Sequence, residues 1–165
     1  MAPSSCASNQ LREMIACARS SASGQRALIS DEIYRYINFL GDGPAAGLLN
    51  LPEEARGDFV LVDGVSKAYA MTGWRIGYTV GDPKVIAGAT RYQDHSTSCP
   101  SAVSQAAALA ALTGPQEPVE TMRKAFEKRC DLVVNRIAEI DALNLSRPQG
   151  AFYAFVGVAG DAGKD

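Results

Sequence analysis

Four side chains in this sequence form a set able to do covalent chemistry on a small molecule: Lys67, Asp31, Tyr34 and Arg75. A lysine amine forms an imine with an aldehyde, and once neutral it also carries a proton to or from carbon. A carboxylate such as Asp31 holds the proton on a ring nitrogen, which makes that ring draw electrons. A phenol such as Tyr34 hydrogen-bonds a ring oxygen and favours its ionised form. Arg75 offers a planar fork that fits a phosphate bidentately. Each also has an ordinary explanation. Lys67 reads as a solvated surface charge when taken alone, Arg75 as half of a structural ion pair, Asp31 as a turn cap and Tyr34 as a packed ring with a wet hydroxyl. The neighbouring sequence decides between them.

Lys67 and Arg75 lie in one stretch, Asp63 to Tyr78, entered by the apolar run Phe59-Val60-Leu61-Val62 and left by Trp74 to Val80. That is strand, loop, strand, with small residues where a backbone can approach a ligand closely. Asp31 and Tyr34 follow a second short apolar run, Ala27-Leu28-Ile29, which has the character of a buried strand. A helix precedes it, with Leu11, Met14, Ile15 and Ala18 at helical spacing from Asn9 onward. Open α/β sheets bind ligands beyond the carboxyl ends of their strands, so all these side chains are expected to converge on one crevice.

The remaining elements follow from the same reading. Residues 41–57, rich in Gly and Pro, form a long connection. Asp82 caps a helix with Pro83 in its first turn, and the segment from Ser96 to Pro100 breaks it. Ser101 to Leu112 is nearly all small or apolar and predicts a helix buried on most sides, stopped by Gly114-Pro115. Residues 118–140 predict a long amphipathic helix with one wet face. Leu143 to Leu145 and Phe152 to Val156 predict two strands joined through Pro148-Gln149-Gly150, and residues 157–165 a small, polar end. The composition shifts near 113–118, which divides the chain into 1–115, the end of a larger α/β domain, and 116–165, an incomplete smaller α+β one.

A net charge of -2 excludes a polyanion-binding surface as the organising feature, so nucleic acid is not expected as a partner. The four cysteines, Cys6, Cys17, Cys99 and Cys130, form no C-x-x-C pair and read as inert, reduced thiols. His95, the single histidine, reads as structural or solvent-facing. No window has the roughly 20 apolar residues of a membrane span, and the N-terminus lacks signal-peptide character, so a cytoplasmic protein is expected.

One cofactor calls for an imine-forming lysine, an acid at a pyridine nitrogen and a cation for its phosphate: pyridoxal phosphate. Ser30-Asp31-Glu32-Ile33-Tyr34, followed by Ser66-Lys67-Ala68-Tyr69-Ala70-Met71-Thr72-Gly73-Trp74-Arg75-Ile76-Gly77-Tyr78, closely resembles the class I/II, fold-type I aminotransferases, in the branch that holds many aspartate aminotransferases. Gln93 to Ser98, Gln105-Ala106-Ala107 and Pro148 to Tyr153 extend the resemblance, which runs from about residue 9 to 156. It implies a large domain with a mostly parallel sheet flanked by helices, and amino-group transfer between an amino acid and a 2-oxo acid. It implies that Lys67 is the cofactor's imine-forming lysine, Asp31 the pyridine-nitrogen partner, Tyr34 the phenolic-oxygen partner and Arg75 a phosphate ligand, usually in a homodimer. Where the family often has a phosphate-binding serine, three positions before the lysine, this chain has Gly64, and Ser66 is only a weak candidate to replace it. The family's glycine-rich phosphate turn, its stacking aromatic ring and its substrate-gripping arginine have no counterpart here, so the chain is expected to be an internal piece of such an enzyme, weakly active or inactive alone. Two further readings stay open: a non-catalytic fragment that only associates with another chain, and a lyase or synthase of the same fold.

Overall fold

The computed structural model describes residues 11–13, 15–16, 28–41 and 43–160. Residues 11–13 and 15–16 are helical, as their apolar spacing predicts, while the segment expected to end that helix and Ala27 lie outside the described residues. Leu28–Asp31 forms strand β1 and Phe59–Gly64 forms β2, paired parallel with Leu28 opposite Phe59 and Asp31 opposite Val62. Gly77–Gly81 forms β3, antiparallel to β2, with Gly64 opposite Gly77. The α/β class therefore holds, and the sheet, in the order β1-β2-β3, is mixed. Its one reversal has a local cause. The connection from β2 to β3 holds only a 3-10 turn, Thr72–Trp74, too little for the crossover helix that a parallel return needs. The return strand accordingly starts at Gly77, not at Trp74.

Between β1 and β2 the chain forms a 3-10 turn at Leu48–Asn50 and one helical turn, α1, at Glu53–Arg56, within the expected irregular connection. Leu48 and Leu51 from this connection pack with Ile15 and Leu61 as a buried cluster, and Leu11, Leu28 and Phe59 close around it. One buried carboxylate fixes the connection to the strand end. Glu32 accepts from the Leu48 amide at 2.6 Å and from the Ser30 hydroxyl at 3.1 Å, and pairs with Arg35 at 3.3 Å. A side chain at Gly47 would overlap this carboxylate and displace it from its bonds.

Helix α2, Pro83–Ser96, begins as expected, with the Asp82 side chain accepting from the Lys84 amide at 2.8 Å. Helix α3, Ala102–Thr113, is where burial departs from expectation. Only Ser104 and Ala108 are buried, and Val103 and Leu109 are 68% and 63% exposed, because no described element packs over that side of the helix. Gly114 ends α3 in an extended conformation; it must be glycine because a Cβ would meet the Ala110 carbonyl oxygen at 2.6 Å.

Helix α4, Glu117–Ala138, matches the predicted periodicity. Arg123 anchors it. This buried guanidinium pairs with Glu120 at 2.8 Å and Glu127 at 3.0 Å, and donates to the Asn38 carbonyl at 3.1 Å. Strands β4, Leu143–Leu145, and β5, Val156–Val158, pair antiparallel. The second strand was expected at 152–156 with the polar end starting at 157, and both shift. Residues 149–151 are instead tied to the segment after β1: Phe39 donates to the Gln149 carbonyl at 2.9 Å and Ala151 to the Ile37 carbonyl at 2.7 Å. Pairing resumes with β4 only at Val156.

Candidate active site

Asp31 ends β1, and the chain turns immediately, with the Ile33 amide donating to the Asp31 carboxylate at 3.2 Å. The residue thus caps its turn, as the ordinary explanation has it, and also lines an open cleft of about 310 Å³. Ser66, Arg75, Val62 and Gly77 line the same cleft. A carboxylate, a hydroxyl and a guanidinium expected to act together therefore meet around one space. Arg75 is exposed and held in a left-handed conformation, φ 51°, with its side chain donating to the Thr72 carbonyl at 3.1 Å. That conformation is unusual for a residue with a Cβ, and it lets β3 begin two residues later.

Asp31 also lines a second cleft, of about 330 Å³, together with Glu32, Tyr34, Arg35 and Gly150. The Lys67 amine lies 5.6 Å from the Tyr34 ring centroid and 5.6 Å from that of Phe152. All five residues expected from the sequence accordingly fall in one region: Asp31, Ser66 and Arg75 around the first cleft, Tyr34 sharing the second with Asp31, and Lys67 over Tyr34. A close approach of backbones makes room for this. Gly64 and Gly77 face each other across β2 and β3, and a Cβ on Gly64 would meet the Gly77 Cα at 2.9 Å.

Several polar and aromatic groups beside these residues went unassigned in the sequence. The Tyr34 hydroxyl is hydrogen-bonded to that of Tyr153 at 2.5 Å, and this bond, with some burial, pushes the Tyr34 phenol up to about 12. Phe152 meets the Tyr34 ring edge-on, with centroids 5.2 Å apart, and stacks on Phe126 from α4. Asp63, only 5% exposed, accepts from its neighbour's Gly64 amide at 2.7 Å and from the Tyr78 hydroxyl at 3.1 Å. Burial raises the Asp63 carboxyl, and burial and the Asp63 charge together push Tyr78 up to about 12. A signal for Asp63 was present: it is the one charge that closes the apolar run of β2. Tyr153 closes the Pro148 to Tyr153 match, but nothing local pairs it with Tyr34, because a contact across 119 residues is set by tertiary pairing. His95 is exposed on α2. Cys99 and Cys130 are free thiols, Cys6 and Cys17 lie outside the described residues, and no cluster of metal-ligating side chains occurs among the described residues.

The family model for aminotransferase class I and II matches residues 5–165. The chain belongs to the class I and II aminotransferases. Among the relatives it resembles are an aspartate aminotransferase of Rhizobium meliloti (strain 1021), 45% identical over 140 residues, covering 83% of this chain and 33% of that protein. Another, from Geobacillus stearothermophilus, is 43% identical over 128 residues, covering 78% of this chain and 32% of the other. The crystal structure of an aspartate aminotransferase from Rhizobium meliloti superposes with a TM-score of 0.74 at 43% identity, over 81% of this chain and 33% of that one. The chain thus spans about a third of the length of these aminotransferases.

Proposed function

We propose that this aminotransferase chain carries the cofactor-holding part of a pyridoxal-phosphate-dependent enzyme that moves an amino group between an amino acid and a 2-oxo acid. The observation that supports it most is the convergence of Asp31, Ser66 and Arg75 on one cleft, with the Lys67 amine poised over Tyr34. The donor set fits the cofactor group by group. Arg75 and Ser66 would hold the phosphate, Asp31 the ring nitrogen, Tyr34 the ring oxygen, and Lys67 the aldehyde carbon. When bound, the cofactor supplies that aldehyde and an electron-poor ring. Asp31 would orient the ring by a charge-assisted hydrogen bond and keep its nitrogen protonated. Lys67, once displaced from the aldehyde carbon, would carry the proton between the substrate's Cα and that cofactor carbon. The aromatic rings of Tyr34 and Phe152 wall the amine on one side.

The names of the relatives make aspartate a candidate amino donor, and assembly as a homodimer is part of the same proposal. The division of the chain at 115/116 is proposed on composition, with the Arg123 to Asn38 hydrogen bond as one link across it.

Incubation with pyridoxal phosphate, reduction with borohydride and peptide mapping tests the reading. An adduct confined to Lys67, and lost in Lys67→Ala, is expected; labelling spread over surface lysines, or none at any cofactor concentration, would count against it. The exposed apolar side of α3 favours a second reading, in which the chain acts by associating with another polypeptide. Transamination by the chain alone, faster than by free cofactor, excludes that second reading as the whole account.

A further inference from the structure

We propose that Tyr153 is a positioning residue of this site: its hydroxyl holds the Tyr34 hydroxyl in place, so that Tyr34 presents an O–H to an oxygen of the bound ligand. The inference rests on the reading of the site given above and adds a residue to it. Its basis is geometric. Tyr34 and Tyr153 are hydrogen-bonded at 2.5 Å, with ring centroids 5.4 Å apart and nearly perpendicular. Neither hydroxyl is forced into this contact by burial, since both lie where water could serve instead. What brings them together is the backbone. Ala151 adopts a left-handed conformation, φ 57°, and its amide donates to the Ile37 carbonyl, so the chain just before Tyr153 is stitched to the chain just after Tyr34. The bridge between Asn38 and Gly150 adds to the same stitch.

Three titratable groups face Tyr34: Asp31 from its own turn, Lys67 from the loop after β2, and Tyr153 from the segment before β5. With no ligand oxygen to accept from it, Tyr34 is disfavoured as a phenolate most by Tyr153 and also by Asp31. With a ligand oxygen accepting from Tyr34, the Tyr34 oxygen is free to accept from Tyr153. The two bonds then form a chain in which each polarises the other, strengthening Tyr34 as a donor. Tyr34 alone would still reach the ligand; Tyr153 fixes its rotamer.

Tyr153→Phe removes the hydroxyl and keeps the ring, and tyrosine labelled with ¹³C at Cζ reports each phenol by NMR, with Tyr34→Phe assigning the signal. In the cofactor-free chain, Tyr34 should remain neutral at about pH 11 in the wild type and be mostly ionised there in Tyr153→Phe, as the phenol falls towards its ordinary value of about 10. In the cofactor-loaded chain, the midpoint of the cofactor's absorbance titration should rise in Tyr153→Phe, by less than in Tyr34→Phe. An unchanged Tyr34 titration in a wild type that does label at Lys67 overturns the proposal and leaves the site standing. A shifted Tyr34 with an unshifted cofactor band also overturns it. No adduct at Lys67 in the wild type removes the site, and the proposal with it.

Discussion

Arg75 is the one guanidinium lining the first cleft, and its exposure means that water and salt compete for it. A bidentate contact is worth more than a point charge in that setting. Arg75→Lys should therefore weaken pyridoxal phosphate binding about tenfold, roughly 1.4 kcal/mol, and Arg75→Ala further, with binding followed by cofactor absorbance at fixed salt. Equal affinity in all three chains would place the phosphate elsewhere. Asp63 behaves differently because it is buried. Its carboxyl is raised in the folded chain, so the stability it contributes is fully present below its unfolded value, near 4, and is lost as pH rises through the folded value. Asp63→Asn removes that loss while keeping an acceptor for the Gly64 amide. The variant should match the wild type in urea unfolding near pH 4 and exceed it near pH 7; a wild type that is the more stable at pH 7 would show that ionised Asp63 is favourably held.

At the scale of elements, the β2–β3 hairpin depends on two glycines in close contact across the strands. Gly64→Ala places a Cβ 2.9 Å from the Gly77 Cα, and backbone cannot yield as a side-chain tip does. We expect a loss of about 1–3 kcal/mol, together with a lower yield of Lys67 adduct. Gly88, inside α2 with open space around it, is the matched control: Gly88→Ala should stabilise by about 0.5–1 kcal/mol. Thermal unfolding of the pair, with opposite signs, checks the hairpin argument. The comparison also shows what sequence could supply. The Asp82-Pro83 start of α2, the periodicity of α4 and the apolar run of β2 are local patterns, and each element formed where its pattern lay. The family motif names Lys67, Asp31, Tyr34, Ser66 and Arg75, and these lie near one another because β1 and β2 run parallel and end together. The shift of β5 and the placing of Tyr153 depend on residues 149–151 pairing with 37–39, which no local pattern encodes. The left-handed turn at Arg75 is equally silent, since it is imposed by closing the hairpin.

For the whole molecule, the decisive feature is α3, twelve residues without a charge. Such composition normally belongs to a helix covered on most sides, and the burial expected from it followed that rule. In this chain Val103, Leu109 and Leu112 face outward, and Ile29 on the edge strand β1 is 72% exposed. Apolar surface of this kind is removed from water whenever a partner is available, whether further polypeptide or another copy of the chain. The isolated chain should therefore self-associate, and sedimentation should show the associated fraction growing with concentration. Leu109→Lys places a charge on the exposed side of α3. It should weaken association about tenfold, equivalent to about 1.4 kcal/mol, while the Lys67 adduct still forms. Raised salt should leave wild-type association intact, because burial of apolar area is not screened as ion pairs are. A wild-type chain that stays monomeric at every concentration would mean that α3 is tolerated in water, and would remove the main support for the association-only reading.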